Sequence, residues 1–189
     1  MHQDVDLVMG TFSKSFASIG GFIAGSADVV HYIKHKARPF IFSAAMSPAS
    51  TATALKSLDI METEPHHIEQ LRKNTLYMSK GLKSLGFNTL NSQTPIIPLL
   101  IGDDGAAFAM SQKLCEEGVF VTPVVRPAVP EGCALIRTSY MATHTQDDLD
   151  YALEHLEKVG KTFGVLGNTE VTERLNKLAL ENFGAHSIA

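Results

Sequence analysis

The stretch Gly10-Thr11-Phe12-Ser13-Lys14-Ser15-Phe16-Ala17-Ser18-Ile19-Gly20-Gly21 limits what the chain around it can become. An apolar run, Val5 to Met9, leads into it, and a second run, Phe22-Ile23-Ala24-Gly25, leaves it. Short apolar runs bounded by glycines and small hydroxyl residues read as buried strands joined by a turn. Lys14 then has to sit in a small-residue turn at a strand end. Such a lysine has two readings. It is a solvated loop residue, or it is desolvated, loses its proton more easily and becomes an amine nucleophile that condenses with an aldehyde. The hydroxyls of Thr11, Ser13 and Ser15, with neighbouring backbone N–H groups, can hold a phosphate close by.

Composition removes several classes. A chain of 189 residues with 44% hydrophobic and 19% charged residues is an ordinary soluble globular sequence, long enough for one domain or a little more. Its net charge of −4 gives no electrostatic case for nucleic acid or an anionic membrane. Cys115 and Cys133 form no Cys-x-x-Cys pair, which argues against a disulfide framework or a zinc site. No apolar run approaches the roughly 20 residues of a membrane span, and no signal peptide opens the chain. The cytoplasm is the default expectation.

Along the chain, Ser26 can cap a helix over Ala27 to about Lys36, and Arg38-Pro39 breaks it. Phe40-Ile41-Phe42-Ser43 reads as a further strand from its β propensity. Pro48 opens a helix that runs from Ala49 to Met61. Ile68, Leu71, Thr75, Met78, Leu82 and Leu85 form the stripe of an amphipathic helix, with Gly86 as its stop. After Phe87, strand-like runs (Ile96 to Ile101, Val119 to Val125, Ala134 to Tyr140) alternate with helical ones (Ala106 to Glu117, Asp148 to about Lys161). That order predicts a compact α+β subdomain. Thr145 and Asp148 make a variant capping box. The tail, Asn168 to Ala189, has a weak helical pattern and no assignable role.

Arg137 lies among apolar neighbours in Ala134-Leu-Ile-Arg-Thr-Ser-Tyr140. A guanidinium buried there needs an anion. The residues alone leave two partners open, a structural carboxylate or a substrate carboxylate gripped bidentately. Arg126-Pro127-Ala128-Val129-Pro130 is a stiff loop just before that strand. His144 stands beside a helix start, which favours a structural hydrogen bond. His66 and His67 open a helix as solvated residues that do not face one another. Asp103-Asp104-Gly105 reads as a turn and cap rather than a metal site.

Thr11-Phe-Ser-Lys-Ser-Phe-Ala-Ser-Ile-Gly-Gly-Phe22 resembles the cofactor-lysine segment of the α-oxoamine synthases, enzymes that use pyridoxal 5'-phosphate to join an amino acid to an acyl-CoA. Its wording is most similar to the bacterial serine palmitoyltransferase branch, and the resemblance runs from about Asp4 to about Gly164. It implies an α/β protein of the fold type I, aspartate-aminotransferase-like class. It also implies a fragment: the end of the cofactor-binding large domain over 1–62, an interdomain helix over 63–86, an α+β C-terminal small domain over 87–164 and a tail over 165–189. Lys14 is implied to hold the cofactor and act as base, beside Thr11 and Ser13. Ser43 corresponds to a position near where a partner subunit reaches the cofactor phosphate. Leu135-Ile-Arg-Thr-Ser-Tyr-Met-Ala-Thr-His-Thr145 resembles the motif whose arginine binds the amino-acid carboxylate, and Arg137 is the match.

The proline-rich loop is implied to lie over the active site. The acidic partner of the pyridine nitrogen, a ring stacked on the cofactor and the remaining phosphate donors come, in that family, from sequence preceding Met1; Asp4 and Asp6 inherit none of these roles. The implied reaction is decarboxylative condensation of L-serine with a long-chain acyl-CoA to 3-ketodihydrosphingosine, in a homodimer, with the fragment alone inactive. Relatives using glycine with acetyl-CoA or alanine with pimeloyl-CoA usually carry Leu-Gly-Lys-Ala at the lysine. A non-catalytic partner subunit is the alternative from another class.

Overall fold

The apolar runs flanking the lysine stretch pair with each other. Strands β1 (Leu7–Thr11) and β2 (Gly21–Gly25) are antiparallel, with Leu7 opposite Gly25 and Thr11 opposite Gly21. The structure, a computed structural model, describes residues 4–185. By its contacts the chain divides into two units, Met1–Pro65 and His66–Ala189.

In the first unit the hairpin is followed by α1 (Ala27–Lys36), a single turn α2 (Arg38–Ile41) and α3 (Pro48–Thr63). Ser26 occupies the N-cap of α1 without a side-chain capping bond, whereas the Ser47 hydroxyl accepts the Ser50 N–H at the start of α3. The strand expected at Phe40–Ser43 is absent. Pro39 sits at the start of α2, where its fixed φ suits a helix and its missing N–H costs nothing, and the Phe42 N–H donates to the Arg38 carbonyl. Burial also departs from expectation. Met9 is 74% exposed, and Ala54 is the one buried residue of this unit among those described. A two-stranded ribbon covers little of its own apolar surface.

The second unit opens with α4 (His66–Leu85), the helix expected between domains, which packs against α6 (Gln146–Thr162). Its stripe is inward at Thr75, Met78 and Leu82, and Gly86 follows at φ +98°. Strand β3 (Ile96–Gly102), helix α5 (Asp104–Glu116), strand β4 (Thr122–Val124) and strand β5 (Ala134–Ser139) come between them in the chain. The sheet order is β3-β5-β4, both pairs antiparallel, so β5 fills the gap between the ends of a βαβ crossover. Prolines stand only where such a sheet tolerates them, Pro98 and Pro123 both lying on edge strands.

Ile97, Leu99 and Ile136 face a core completed by Met78, Leu82, Met110, Leu114, Leu149, Leu156 and Val159. The tail forms α7 (Thr169–Phe183), whose Leu175 and Ala179 join that core beside β3. At the bulge closing β3, Gly102 takes φ +95°, and an added Cβ would stand 3.0 Å from the Leu175 side chain. The positive φ is what favours glycine there, and a Cβ would in addition press on the end of the Leu175 side chain. No helix among the described residues is long and apolar enough to cross a membrane.

Candidate active-site elements

Lys14 lies in the nine-residue connection of the β1–β2 hairpin and is exposed. The loop is closed by backbone bonds from the Phe12 N–H to the Gly20 carbonyl at 2.9 Å and from the Ser18 N–H to the Phe12 carbonyl at 2.9 Å. The Ala17 N–H reaches back to the Lys14 carbonyl at 2.9 Å, turning the chain just after the lysine. Two serines fasten the loop to α3. Ser18 Oγ donates to the Ser50 carbonyl at 2.7 Å and Ser57 Oγ to the Phe16 carbonyl at 3.0 Å. Sequence reasoning missed Ser57, whose partner is 41 residues away.

The glycines framing the loop are there because the strands come close. A Cβ on Gly21 would lie 2.5 Å from the Gly10 carbonyl oxygen, and one on Gly10 would lie 2.4 Å from the Phe22 ring. Within this frame Thr11 Oγ1 and Ser13 Oγ are 2.9 Å apart, and Thr11 Oγ1 also accepts the Ser13 N–H at 3.2 Å. Two hydroxyls and the lysine amine are therefore held on one short loop, a donor set suited to a phosphorylated aldehyde. Ser43 is placed differently. It follows α2 rather than ending a strand, and its hydroxyl donates to the Pro39 carbonyl one turn back.

Arg137 is exposed, against the expectation of burial. Along β5, Ala134, Ile136 and Thr138 turn into the core, so the alternating residues Arg137 and Ser139 turn away from it. Arg137 is paired across the sheet with Pro98 on one side and Thr122 on the other. Its guanidinium makes no ion pair or hydrogen bond among the described residues, so no structural carboxylate satisfies it. Arg126 does have such partners: Asp104 at 3.1 Å, which raises its pKa by hydrogen bond and charge, and Glu131 at 3.3 Å. The bond to Asp104 ties the proline loop to α5.

The turn after β5 is held by a residue the sequence did not point to. Asn74, buried on α4, donates through Nδ2 to the Met141 carbonyl at 2.9 Å and the His144 carbonyl at 3.1 Å, and its Oδ1 accepts from Gln70 Nε2 at 2.8 Å. The one hint was a polar residue beside the apolar stripe. His144 Nδ1 accepts the Met141 N–H at 3.3 Å, the structural role expected for it. A cavity of about 460 Å³ opens beside this turn, bordered by Phe120, Ser139, Tyr140, Met141 and His144. Burial pushes the Tyr140 phenol up to about 12 against a small opposing pull from the nearby Thr138 hydroxyl, which is itself spent on the Ile97 carbonyl, so no hydrogen bond of good geometry reaches the phenol. Asp103 caps α5 by accepting the Ala106 N–H at 2.8 Å, as expected of a turn residue. His66 and His67, expected to point apart, have ring centroids 4.1 Å apart.

Comparison with known proteins gives these elements a family. The chain is 52% identical over 163 residues to a serine palmitoyltransferase of Bacteriovorax stolpii, covering 86% of this chain and 39% of that protein. It is 44% identical over 166 residues to an 8-amino-7-oxononanoate synthase of Thermosipho melanesiensis, covering 88% and 42%. A serine palmitoyltransferase of S. paucimobilis, solved with a bound pyridoxal-phosphate–myriocin aldimine, matches with a TM-score of 0.79 at 32% identity over 86% of this chain and 41% of that one. The chain thus spans about two fifths of the length of these relatives. Its α/β architecture is part of the aspartate-aminotransferase-like fold. The family profile described as aminotransferase class I and II matches residues 1–156, which takes in the lysine hairpin, the arginine strand and most of α6, and the chain belongs to that family.

Proposed function

We propose that this chain is the part of an α-oxoamine synthase that carries the cofactor lysine and the arginine for the amino-acid carboxylate. The whole protein, on this reading, condenses L-serine with a long-chain acyl-CoA, releasing CO₂ and CoA and leaving 3-ketodihydrosphingosine. The observation that carries it is the lysine hairpin: an exposed lysine on the same short loop as two hydroxyls 2.9 Å apart, closed at Gly21, where an added Cβ would meet the Gly10 carbonyl oxygen at 2.5 Å. Pyridoxal phosphate, when bound, supplies an aldehyde for that amine and an electron sink for the carbanion next to the amino-acid carboxylate. Lys14 holds the cofactor and later takes the Cα proton at Nζ. Thr11 and Ser13 donate to the phosphate. Arg137 orients the substrate carboxylate through two parallel N–H bonds. Ser43 has a weaker claim as a phosphate contact, its hydroxyl being engaged with Pro39.

Serine and a long acyl chain are favoured by Phe-Ser-Lys-Ser at positions 12–15 and by the 52% identity to a serine palmitoyltransferase. A second reading, alanine with pimeloyl-CoA, has support in the 44% identity to an 8-amino-7-oxononanoate synthase. A homodimer in the cytoplasm fits both. Two measurements test the proposal. Treating the chain, co-expressed with the remaining part of the B. stolpii relative, with pyridoxal phosphate and then borohydride should leave a phosphopyridoxyl group on the peptide containing Lys14; labelling spread evenly over the other lysines refutes the cofactor site. Co-expressing the chain with the remaining part of the B. stolpii relative, then assaying serine, glycine and alanine against short and long acyl-CoA, reads the substrate. Turnover with alanine and pimeloyl-CoA alone would select the second reading.

A further inference from the structure

The face of the second unit's sheet that carries Arg137 is apolar apart from three groups that adjoin one another. Thr122 is the cross-strand partner of Arg137, and Ser139 lies two residues further along β5 on the same side. Directly paired residues in antiparallel strands have Cβ atoms roughly 5 Å apart, and residues two apart on a strand are separated by roughly 7 Å. The remaining positions on this face, Ile96, Pro98, Leu100, Val124 and Leu135, offer no side-chain hydrogen-bonding group. Among the described residues the Thr122 and Ser139 hydroxyls, like the guanidinium, make no side-chain hydrogen bond. Three side-chain donors thus share one face of the sheet, and none has an acceptor on the protein among the described residues.

We propose that Thr122 and Ser139 are positioning residues that complete the grip of Arg137 on a small carboxylate. The inference rests on the reading of Arg137 given above and extends it to two residues which nothing in that reading assigns. A carboxylate held by two parallel guanidinium bonds keeps a free lone pair on each oxygen. Thr122 on the neighbouring strand and Ser139 along the strand each approach that group from a side that Arg137 leaves open. Pro98, on the other flank, has neither a side-chain donor nor an N–H, so the polar approach is from the β4 side. The site therefore selects an acid over its amide, and it fixes the rotation of the carboxylate about the arginine axis.

The test uses the 189-residue chain and backbone amide NMR shifts of β4 and β5, with L-serine, sodium acetate and L-serinamide as probes. Serine and acetate should bind and serinamide should not. Thr122→Val keeps shape and strand propensity but removes the hydroxyl, and should weaken acetate binding about tenfold, as loss of one hydrogen bond to a charged group does. Ser139→Ala should weaken it by a similar factor. Thr122→Ser keeps the donor and should stay within about twofold of wild type, which separates hydrogen bonding from packing. Arg137→Met should abolish binding. If Arg137→Met abolishes binding while Thr122→Val and Ser139→Ala bind like wild type, the present inference is overturned and the role of Arg137 stands. If wild type does not bind acetate, or Arg137→Met binds as well as wild type, the reading of Arg137 fails and this inference fails with it. Equal urea midpoints for all variants serve as the folding control.

Discussion

Asn74 offers the sharpest test of how the second unit is held together. Its side-chain nitrogen donates to two carbonyls, those of Met141 and His144, at 2.9 and 3.1 Å, and the residue is 4% exposed. These bonds fix the turn that follows β5, the strand carrying Arg137. Asn74→Leu keeps the branched shape and removes both hydrogen bonds to the turn and the acceptor for Gln70. Each buried hydrogen bond is worth about 1 kcal/mol net, and a stranded carbonyl adds to the loss, so the expected destabilisation is about 2–3 kcal/mol. For a unit of this size that lowers the thermal midpoint by roughly 10 °C.

Asn74→Asp is the harsher change, since a carboxylate oxygen replaces the nitrogen and faces two carbonyl oxygens. Burial and those dipoles raise the folded pKa of the introduced acid above its unfolded value of about 3.9. A raised folded pKa means the lost stability is recovered below the unfolded pKa and disappears as pH rises through the folded one. Urea unfolding followed by circular dichroism between pH 4 and 8 should then show Asn74→Asp nearing Asn74→Leu in acid and falling below it at neutral pH. An Asn74→Leu midpoint within about 0.5 kcal/mol of wild type would refute the clamp, because water would then be serving those carbonyls as well as Asn74 does.

Other expectations follow from the same geometry. Tyr140→Phe removes a buried hydroxyl that has no partner, so at pH 7 it should leave stability unchanged or raise it by up to about 1 kcal/mol, against the usual cost of a core change. The folded phenol is pushed up to about 12 from the ordinary tyrosine value of about 10, so wild-type stability should fall between those values as pH rises, and Tyr140→Phe should flatten that part of an alkaline unfolding profile. Thr145→Ala breaks a complete capping box with Asp148 and should cost about 1 kcal/mol, whereas Ser26→Ala, at an N-cap with no side-chain bond, should cost a few tenths; equal effects in urea titrations would contradict the assignment.

What could be read in advance was local. The hairpin strands, the stripe of α4, the capping box of α6 and the cap at Asp103 each depend on residues within a few positions of one another. The misreadings have local causes too. At Phe40–Ser43 the β propensity of Phe-Ile-Phe was set above the helix-starting geometry of Pro39, and the proline won. The run Val119 to Val125 shrank to three paired residues, on an edge strand containing Pro123. The apolar neighbours of Arg137 predict burial, yet in a strand the nearest neighbours face the opposite way. Asn74 could not be read at all. Its partners lie 67 and 70 residues downstream, a pairing that exists only once α4 and β5 are packed.

The distribution of buried residues separates the two units in a way that can be measured. His66–Ala189 contains the whole hydrophobic cluster, with its twelve largest fully buried side chains, from Met78 to Val159, less than 2% exposed. Met1–Pro65 contributes only Ala54 to the buried residues described, while Ile19, Phe40 and Phe42 are 77%, 62% and 85% exposed. Folding has to offset roughly 1–2 kcal/mol of backbone entropy per residue, and only buried apolar surface offers enough. Residues 66–185 expressed alone should therefore unfold cooperatively in urea, and residues 1–65 should show no cooperative transition. The contribution of the tail, Val165 and Leu166 together with α7, is separable by ending the first piece at 164. That removes Val165, Leu166, Leu175 and Ala179 from the core and uncovers the surface they shield, which should cost about 3 kcal/mol or more. If 66–164 is as stable as 66–185, α7 rests on the surface and the core closes without it. If 66–185 fails to fold, burial in the second unit is not the source of its stability, and the division at Pro65 has no energetic meaning.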